Sequence, residues 1–437
     1  MIRRLFFFIF AIAVLLTACS DNETFSTSSG NRLTFSEDTI FFDTLFSAVP
    51  STTQTFWVHN DTDDGIRIQT ARLERGTQSG FRVNIDGTYL NPVGNDFEVR
   101  KGDSLLVFVE VTTREVHAEE PQLVEDNLIL TLESGVDQRV NLRAMSWDAV
   151  KLTDLVISRD TTIETSRPVI VYGSGILVEQ GAKLTLRNTI LYFHDGAGLT
   201  VSGQIDADSC LFRGDRLDYM FDYLPYDRIP SQWEGIYLTP ESSDNTLSNC
   251  TINNAVYALV CDSTDLILNN TVIHNAGGGG LYARYSALYI EYCQFTNTYG
   301  DCVYLEACEA EVDHCTIGQF YPFSANRGAA LRFRNAKAGP MLLSCTNTLV
   351  TGYEADVLMR EKTDSIAPID FYFGNCLLRT DSVSDPERLV DILWETPKDS
   401  VQGTKHFKTI DEDKFYYDFS IDSISPAFAR RIGRILE

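Results

Sequence analysis

From Gly175 onward a short apolar strand recurs along the chain: Gly175-Ile176-Leu177-Val178, Gly198-Leu199-Thr200-Val201, Gly235-Ile236-Tyr237-Leu238, Ala258-Leu259-Val260, Leu281-Tyr282-Ala283, Val303-Tyr304-Leu305 and Leu331-Arg332-Phe333. Each is followed by an Asn or Cys that precedes a second apolar pair: Asn188, Cys210, Cys250, Asn270, Cys293 and Cys315. Cys345 or Asn347 continues the series, and Cys376 closes it. The spacings are 22, 40, 20, 23 and 22 residues, the 40 containing an insertion. A period of about 22 residues is too short for two helices and fits one turn of a β-solenoid. Successive coils lie ~4.8 Å apart, so equivalent residues form straight columns. An Asn column bonds rung to rung at a bend, and Cys suits the same position as a small, nearly apolar group. About eight coils are expected.

Side chains alternate inward and outward along such a strand. With Ile176, Leu199, Ile236, Ala258, Leu281, Val303 and Leu331 inward, one outward column reads Leu177, Thr200, Tyr237, Leu259, Tyr282, Tyr304, Arg332. A second reads Glu179, Ser202, Thr239, Cys261, Arg284, Glu306, Arg334. Tyr237, Tyr282, Tyr304 and Arg332 are the candidate ligand-binding residues, because tyrosine rings stack on sugar faces and arginine bonds hydroxyls or carboxylates. Arg284, Glu306 and Arg334 are the candidates for catalysis. Glu179 and Glu306 stand five rungs apart, roughly 24 Å, too far to act as a glycosidase pair. His194 and His274 each stand alone in the sequence and read as turn or surface residues.

Residues about 150 to 425 resemble the pectate-lyase-like right-handed parallel β-helix family of exported lipoproteins. The segments that carry the resemblance are Gly181-Ala182-Lys183-Leu184-Thr185-Leu186, Leu191-Tyr192-Phe193-His194, Phe212-Arg213-Gly214-Asp215-Arg216 and Gln232-Trp233-Glu234-Gly235-Ile236. The resemblance implies the fold, and the use of this face to grip extended polysaccharides. It implies no single activity, because members of one fold differ in chemistry. The Asp-rich signatures of the polygalacturonase-type hydrolases are absent, and no aspartate cluster adjoins Arg284 for calcium.

Ahead of the repeat, residues 31–148 alternate in the manner of strands, with Thr39-Ile40-Phe41-Phe42, Thr55-Phe56-Trp57-Val58, Gly65-Ile66-Arg67-Ile68, Phe81-Arg82-Val83-Asn84-Ile85, Leu105-Leu106-Val107-Phe108-Val109 and Leu128-Ile129-Leu130-Thr131-Leu132 between turn clusters. About seven strands so spaced read as an antiparallel β-sandwich, similar to the immunoglobulin-like modules of exported proteins. The loop Asn60 to Gly65 lacks EF-hand spacing and reads as a hairpin turn. The fold class expected is therefore all-β: an antiparallel sandwich (31–148), then a right-handed parallel β-helix (149–384), then a capping segment (385–437). In that last segment Glu387 to Trp394 has helical spacing, and its expected task is to cover the open end of the solenoid.

The insertion Asp215 to Trp233 mixes Tyr219, Phe221, Tyr223, Tyr226 and Trp233 with four aspartates. It reads either as a binding loop or as a lid whose aromatics pack inward, the second being favoured. Gly277 to Gly280 lacks the Lys-Ser/Thr of a phosphate loop and reads as a tight coil turn.

Charge and the N-terminus add the setting. Arg3-Arg4, an apolar run from Leu5 to Leu16, and Leu16-Thr17-Ala18-Cys19 resemble a lipoprotein signal peptide (1–18) whose peptidase leaves Cys19 to carry the lipid. A polar tether (19–30) follows, and several acyl chains hold a protein stably on a membrane. The expected location is the outer membrane, with a membrane contact through Cys19. The net charge of −25 becomes −27 without Arg3 and Arg4, which disfavours nucleic acid as a partner. Nine cysteines remain after Cys19, with no CxxC pair and no histidines clustered among them, so neither zinc nor another cofactor is expected. Cys261, Cys302 and Cys308 lie off the Asn/Cys column, leaving a disulfide among them open. The leading reading is a non-catalytic envelope lipoprotein that binds a polysaccharide or another envelope or host component through the β-helix face. The alternatives are a polysaccharide lyase or glycoside hydrolase, and a structural or adhesive spacer.

Overall fold

The computed structural model describes residues 24–221, 223–337, 339–396 and 403–436, so the signal peptide and Cys19 lie outside the described residues. The chain divides into two units, Met1–Trp147 and Asp148–Glu437.

The first unit is a sandwich of two five-stranded sheets. One runs Thr34–Phe35, Gln54–His59, Ser104–Val111, Phe81–Ile85, Thr88–Tyr89; the other runs Thr39–Phe46, Asp137–Trp147, Gln122–Leu132, Ile66–Leu73, Val93–Val99. Inward residues of both, among them Phe42, Phe56, Ile68, Val83, Val107, Leu130 and Leu142, form its core. Two features differ from the sequence expectation. Thr39–Phe46 pairs parallel, not antiparallel, with Asp137–Trp147, a partner from the far end of the unit that local alternation cannot reveal. The segment from Asn60 to Gly65 is not a hairpin, since it joins Gln54–His59 of one sheet to Ile66–Leu73 of the other. The fully buried Asn60 holds that crossover, its amide donating to the carbonyls of Asp64 and Val99, both at 2.9 Å.

The second unit is a stack of three-sided coils. One coil shows the plan: Val272–Ala276 on the first face, Gly279–Arg284 on the second, Ala287–Glu291 on the third, then Gln294–Thr298 back on the first. The ladders between coils are parallel, and in register except for a shift between Thr153 and Leu155 where Val150–Ile157 pairs with Val169–Val178; the third face alone holds ten strands from Thr161–Glu164 to Leu389–Val390. The first two faces merge into one sheet because Val169–Val178 runs unbroken around their corner. Each strand sends alternate Val, Leu, Ile, Phe, Ala and Cys into a single continuous core.

The expected Asn/Cys column proves to be two adjacent columns. The pairings align Asn188, Ser209, Asn249, Asn270, Tyr292, His314, Asn347 and Asn375 at a corner, all with positive φ. Asparagine tolerates this left-handed backbone better than other side chains, and its amide then bonds along the stack, as Asn270 does to Asn249 at 2.8 Å. One residue later, pointing inward, stand Thr189, Cys210, Cys250, Thr271, Cys293, Cys315, Thr348 and Cys376. Each hydroxyl or thiol donates to the carbonyl two residues earlier, as in Cys210 to Asp208, Thr271 to Asn269 and Cys293 to Glu291. Reading the two columns as one produced the uneven spacings of 20 and 23, where true register gives 21 and 22.

Cys308 belongs to an equivalent inward column at the next corner, with Thr264 and Ser286, and its thiol donates to the carbonyl of Glu306. Cys261 lies inside, between Leu238 and Ala283 of neighbouring coils. All nine cysteines from Cys210 to Cys376 are free and buried, so the disulfide left open among Cys261, Cys302 and Cys308 is not formed.

The C-terminal residues depart from expectation. Instead of a helix, Glu387 to Trp394 contains two short strands, Leu389–Val390 and Leu393–Trp394, that add the last rungs. Helical spacing misled because inward residues separated by a corner also recur at three and four. The hairpin Phe407–Asp411/Tyr416–Ile421 and the short helix Pro426–Ala429 lie along the first face, where Phe407, Phe419, Ile421, Ala427 and Ile432 pack on Phe320, Leu349 and Leu377. They flank the solenoid instead of closing its end. A buried Glu395 ties this segment down, accepting from Arg379 and Thr351, both at 2.7 Å, and facing His406 at 3.4 Å.

Candidate ligand-binding face

The second face carries the candidate residues, and its true register changes their company. The inward residue of the fourth strand is Leu259, fully buried, and not Ala258. Three successive apolar residues, Ala258-Leu259-Val260, left that strand without a phase in the sequence. The outward column therefore reads Leu177, Thr200, Tyr237, Val260, Tyr282, Tyr304, Arg332, Met359. The next outward column contains Asp262, not Cys261, followed by Arg284, Glu306, Arg334 and Glu361.

Alternating signs on adjacent rungs make that column a charge ladder. Arg284 Nη2 lies 2.8 Å from Asp262 Oδ2, and Arg334 Nε lies 2.6 Å from Glu306 Oε2. Arg332 reaches Asp301 at 2.7 Å and also pairs with Glu361. Asp262, Asp301 and Glu361 were missed in the sequence: the first by the phase error, Asp301 because it sits in the turn before its strand, and Glu361 because its strand, Leu358–Glu361, lacks the apolar alternation of the others.

The tyrosines are not equivalent. Tyr237 is 37% exposed, whereas Tyr304 is only 7% exposed, so the expected stacking surface at Tyr304 is covered. Tyr282 lies over Tyr304 with ring centroids 4.3 Å apart, Arg334 lies 5.2 Å from the Tyr304 ring centroid, and the Tyr304 hydroxyl donates to Glu306 at 2.6 Å. Burial, with that bond to a carboxylate, pushes the Tyr304 hydroxyl well above its usual range. Burial alone would raise Glu306, but hydrogen bonds from Tyr304 and Arg334 and the charges of Arg334 and Arg284 hold its carboxyl below its ordinary value.

A further aromatic, Tyr257, replaces what Tyr304 does not offer. It is 44% exposed and meets Tyr282 edge-on at 6.1 Å. Its ring lies on Gly278, where a Cβ would come within 2.8 Å of it, which gives the Gly277 to Gly280 run a purpose beyond turning. Between Tyr257, Tyr237 and Glu234 lies a shallow depression of about 280 Å³ floored by Gly198 and Gly235. Gly235 has φ +108° and a Cβ there would meet the Tyr257 carbonyl at 1.6 Å, so the floor must stay bare.

The other candidates fall elsewhere. His194 is not alone: its Nδ1 lies 2.7 Å from Asp215 and its ring 5.3 Å from Tyr172. His274 packs beside Tyr417 and Phe419 on the first face, and burial pushes its pKa down to about 4. The insertion divides into a part packed inward and a part left exposed. Trp233 is buried and stacked on Phe193 at 4.3 Å, while Tyr219, Phe221 and Tyr223 form an exposed hairpin tip.

Residues 148–317 match the family model described as the right handed beta helix region. The second unit is a right-handed parallel β-helix. No curated protein matches the chain in sequence. Among solved structures, this β-helix protein is similar to the catalytic unit of a thermostable α-1,3-glucanase from Streptomyces thermodiastaticus, at 8% identity and TM-score 0.26, over 78% of this chain and 89% of that one. It is similar also to a pectin methylesterase in complex with a hexasaccharide, at 12% identity and TM-score 0.19, over 56% and 69%. Likenesses this weak say nothing about which residues of the β-helix act.

Proposed function

We propose that this chain is a non-catalytic, lipid-anchored protein of the outer membrane that binds an extended polysaccharide along the second face of its β-helix. The observation that carries this reading is the alignment of Tyr237, Tyr257 and Tyr282 along one face, beside arginines and carboxylates held in a fixed ladder. Aromatic faces supply stacking, and rigid charged side chains supply hydroxyl contacts at little entropic cost. The membrane part rests on Arg3-Arg4, the apolar run and Cys19. Binding of the whole chain to a polysaccharide panel tests the first part, and movement of a Cys19→Ser variant from the membrane to the soluble fraction tests the second.

A second reading, hydrolysis, is favoured by one observation. Corrected register puts Asp262 and Glu306 two rungs apart, roughly 9.6 Å by backbone spacing, near the upper end of the separation used by inverting glycosidases. Against it, Arg284 stands between them and Glu306 is held below its ordinary value, whereas a general acid needs the opposite shift. Release of reducing ends that disappears in Glu306→Gln would establish this reading over the first.

A further inference from the structure

The C-terminal segment and the first face enclose a concavity of different chemistry. An open groove of about 520 Å³ lies between the hairpin Phe407–Asp411/Tyr416–Ile421, the residues Arg434 to Leu436, and Gln294 of the first face. Tyr416, Phe419, Phe428 and Ile435 give it apolar walls. Arg434 lines it, half-buried and held from behind: Nε donates to the Tyr292 carbonyl at 2.9 Å and Nη2 to Asn270 Oδ1 at 2.8 Å. Both acceptors are neutral, and they use two of its five N–H donors. Among the described residues no carboxylate lies within ion-pair distance of Arg434, in a chain of net charge −25. Burial without an anion pushes the guanidinium pKa down. A cation kept partly out of water and unpaired is costly unless an anion joins it. Lys408 lines the same groove. The one acid on its wall, Asp418, accepts from the Ser420 N–H at 2.9 Å and also feels the charge of Lys408, which leaves Arg434 as the cation without an acidic neighbour among the described residues.

We infer that this groove is a binding site for a small organic carboxylate, whose acid group meets Arg434 and whose body lies on the apolar wall. Buried arginine is suited to this task, because its planar donors match a carboxylate and it cannot shed its proton. The body of such an acid is an acyl chain or an aromatic ring, and the groove admits either. The site is separate from the tyrosine face, since none of its residues lies on the second-face columns. Failure of one reading therefore leaves the other standing.

Calorimetric titration of the whole chain with octanoate and with phenylacetate tests the inference, octan-1-ol and phenylethanol serving as uncharged counterparts. One acid or both should bind at a single site, the neutral counterpart at least roughly tenfold more weakly, and the acid that binds names the source. Arg434→Gln should weaken that acid by about tenfold or more, and Lys408→Glu, at an exposed position, by several-fold without disturbing the fold. Absence of saturable binding by either acid, equal binding by the neutral counterparts, or unchanged affinity in Lys408→Glu together with a folded Arg434→Gln would overturn it.

Discussion

Tyr282 and Tyr304 stack on adjacent coils with ring planes 1° from parallel, and the lower ring is closed off from solvent. Parallel in-register strands bring identical side chains to the coil spacing, so two tyrosines there have little choice but to stack. The consequence is a division of labour: Tyr304 holds the face together, while Tyr237, Tyr257 and Tyr282 remain available to a ligand.

That division predicts opposite mutational phenotypes. Tyr304→Ala removes a buried ring and the donor to Glu306, and should cost about 2–4 kcal/mol, read as a lower urea midpoint. Tyr237→Ala removes an exposed ring, and should leave that midpoint within about 0.5 kcal/mol.

The thiol column predicts which substitutions it accepts. Cys293→Thr should be nearly neutral, because Thr189, Thr271 and Thr348 already fill equivalent positions with the same bond to the carbonyl two residues earlier. Cys293→Ala leaves that bond unmade and should cost about 1 kcal/mol in thermal unfolding. A thiol reagent should find none of the nine cysteines after Cys19 in the folded protein and all nine after denaturation.

Much of this was legible beforehand. The coil period, the all-β class and the outward placement of Tyr237, Tyr282, Arg284, Glu306 and Arg334 follow from alternation, which depends only on which residues are inward. What alternation cannot supply is phase within a uniformly apolar strand, and that is where Asp262 was lost. Nor can it report how far a neighbour covers an outward ring, as Tyr282 covers Tyr304. Corner residues mislead for a related reason: Asn and Cys one position apart both satisfy the backbone of the same bend, one from outside and one from within.

The buried Glu395 predicts an acid-labile attachment of residues 403–436. Burial would raise its carboxyl, but His406 and Thr351 hold it below its ordinary value of 4.5. A carboxyl so depressed stabilises the folded state above its unfolded pKa, and that contribution disappears as pH falls through the folded value. Glu395→Gln should cost about 3–5 kcal/mol at neutral pH by leaving Arg379 unpaired in the core. Limited proteolysis should then release the C-terminal segment, and the variant should show less acid dependence than the parent.

The Arg284–Asp262 pair predicts a small effect. Arg284 is 40% exposed, so screening limits the coupling, and a double-mutant cycle should give about 0.5 kcal/mol, smaller still in high salt.

The central claim, that the second face of the β-helix is a polysaccharide-binding surface, is tested most directly by titrating the whole chain and a Tyr237→Ala/Tyr257→Ala/Tyr282→Ala variant against the same panel of soluble polysaccharides. The account predicts saturable binding by the parent to at least one polymer, weakened roughly a hundredfold or more in the variant, which should stay folded by circular dichroism although its unfolding midpoint falls with the loss of the Tyr282–Tyr304 stack. Binding that survives loss of all three rings, or no binding to any polymer by the parent, would contradict it.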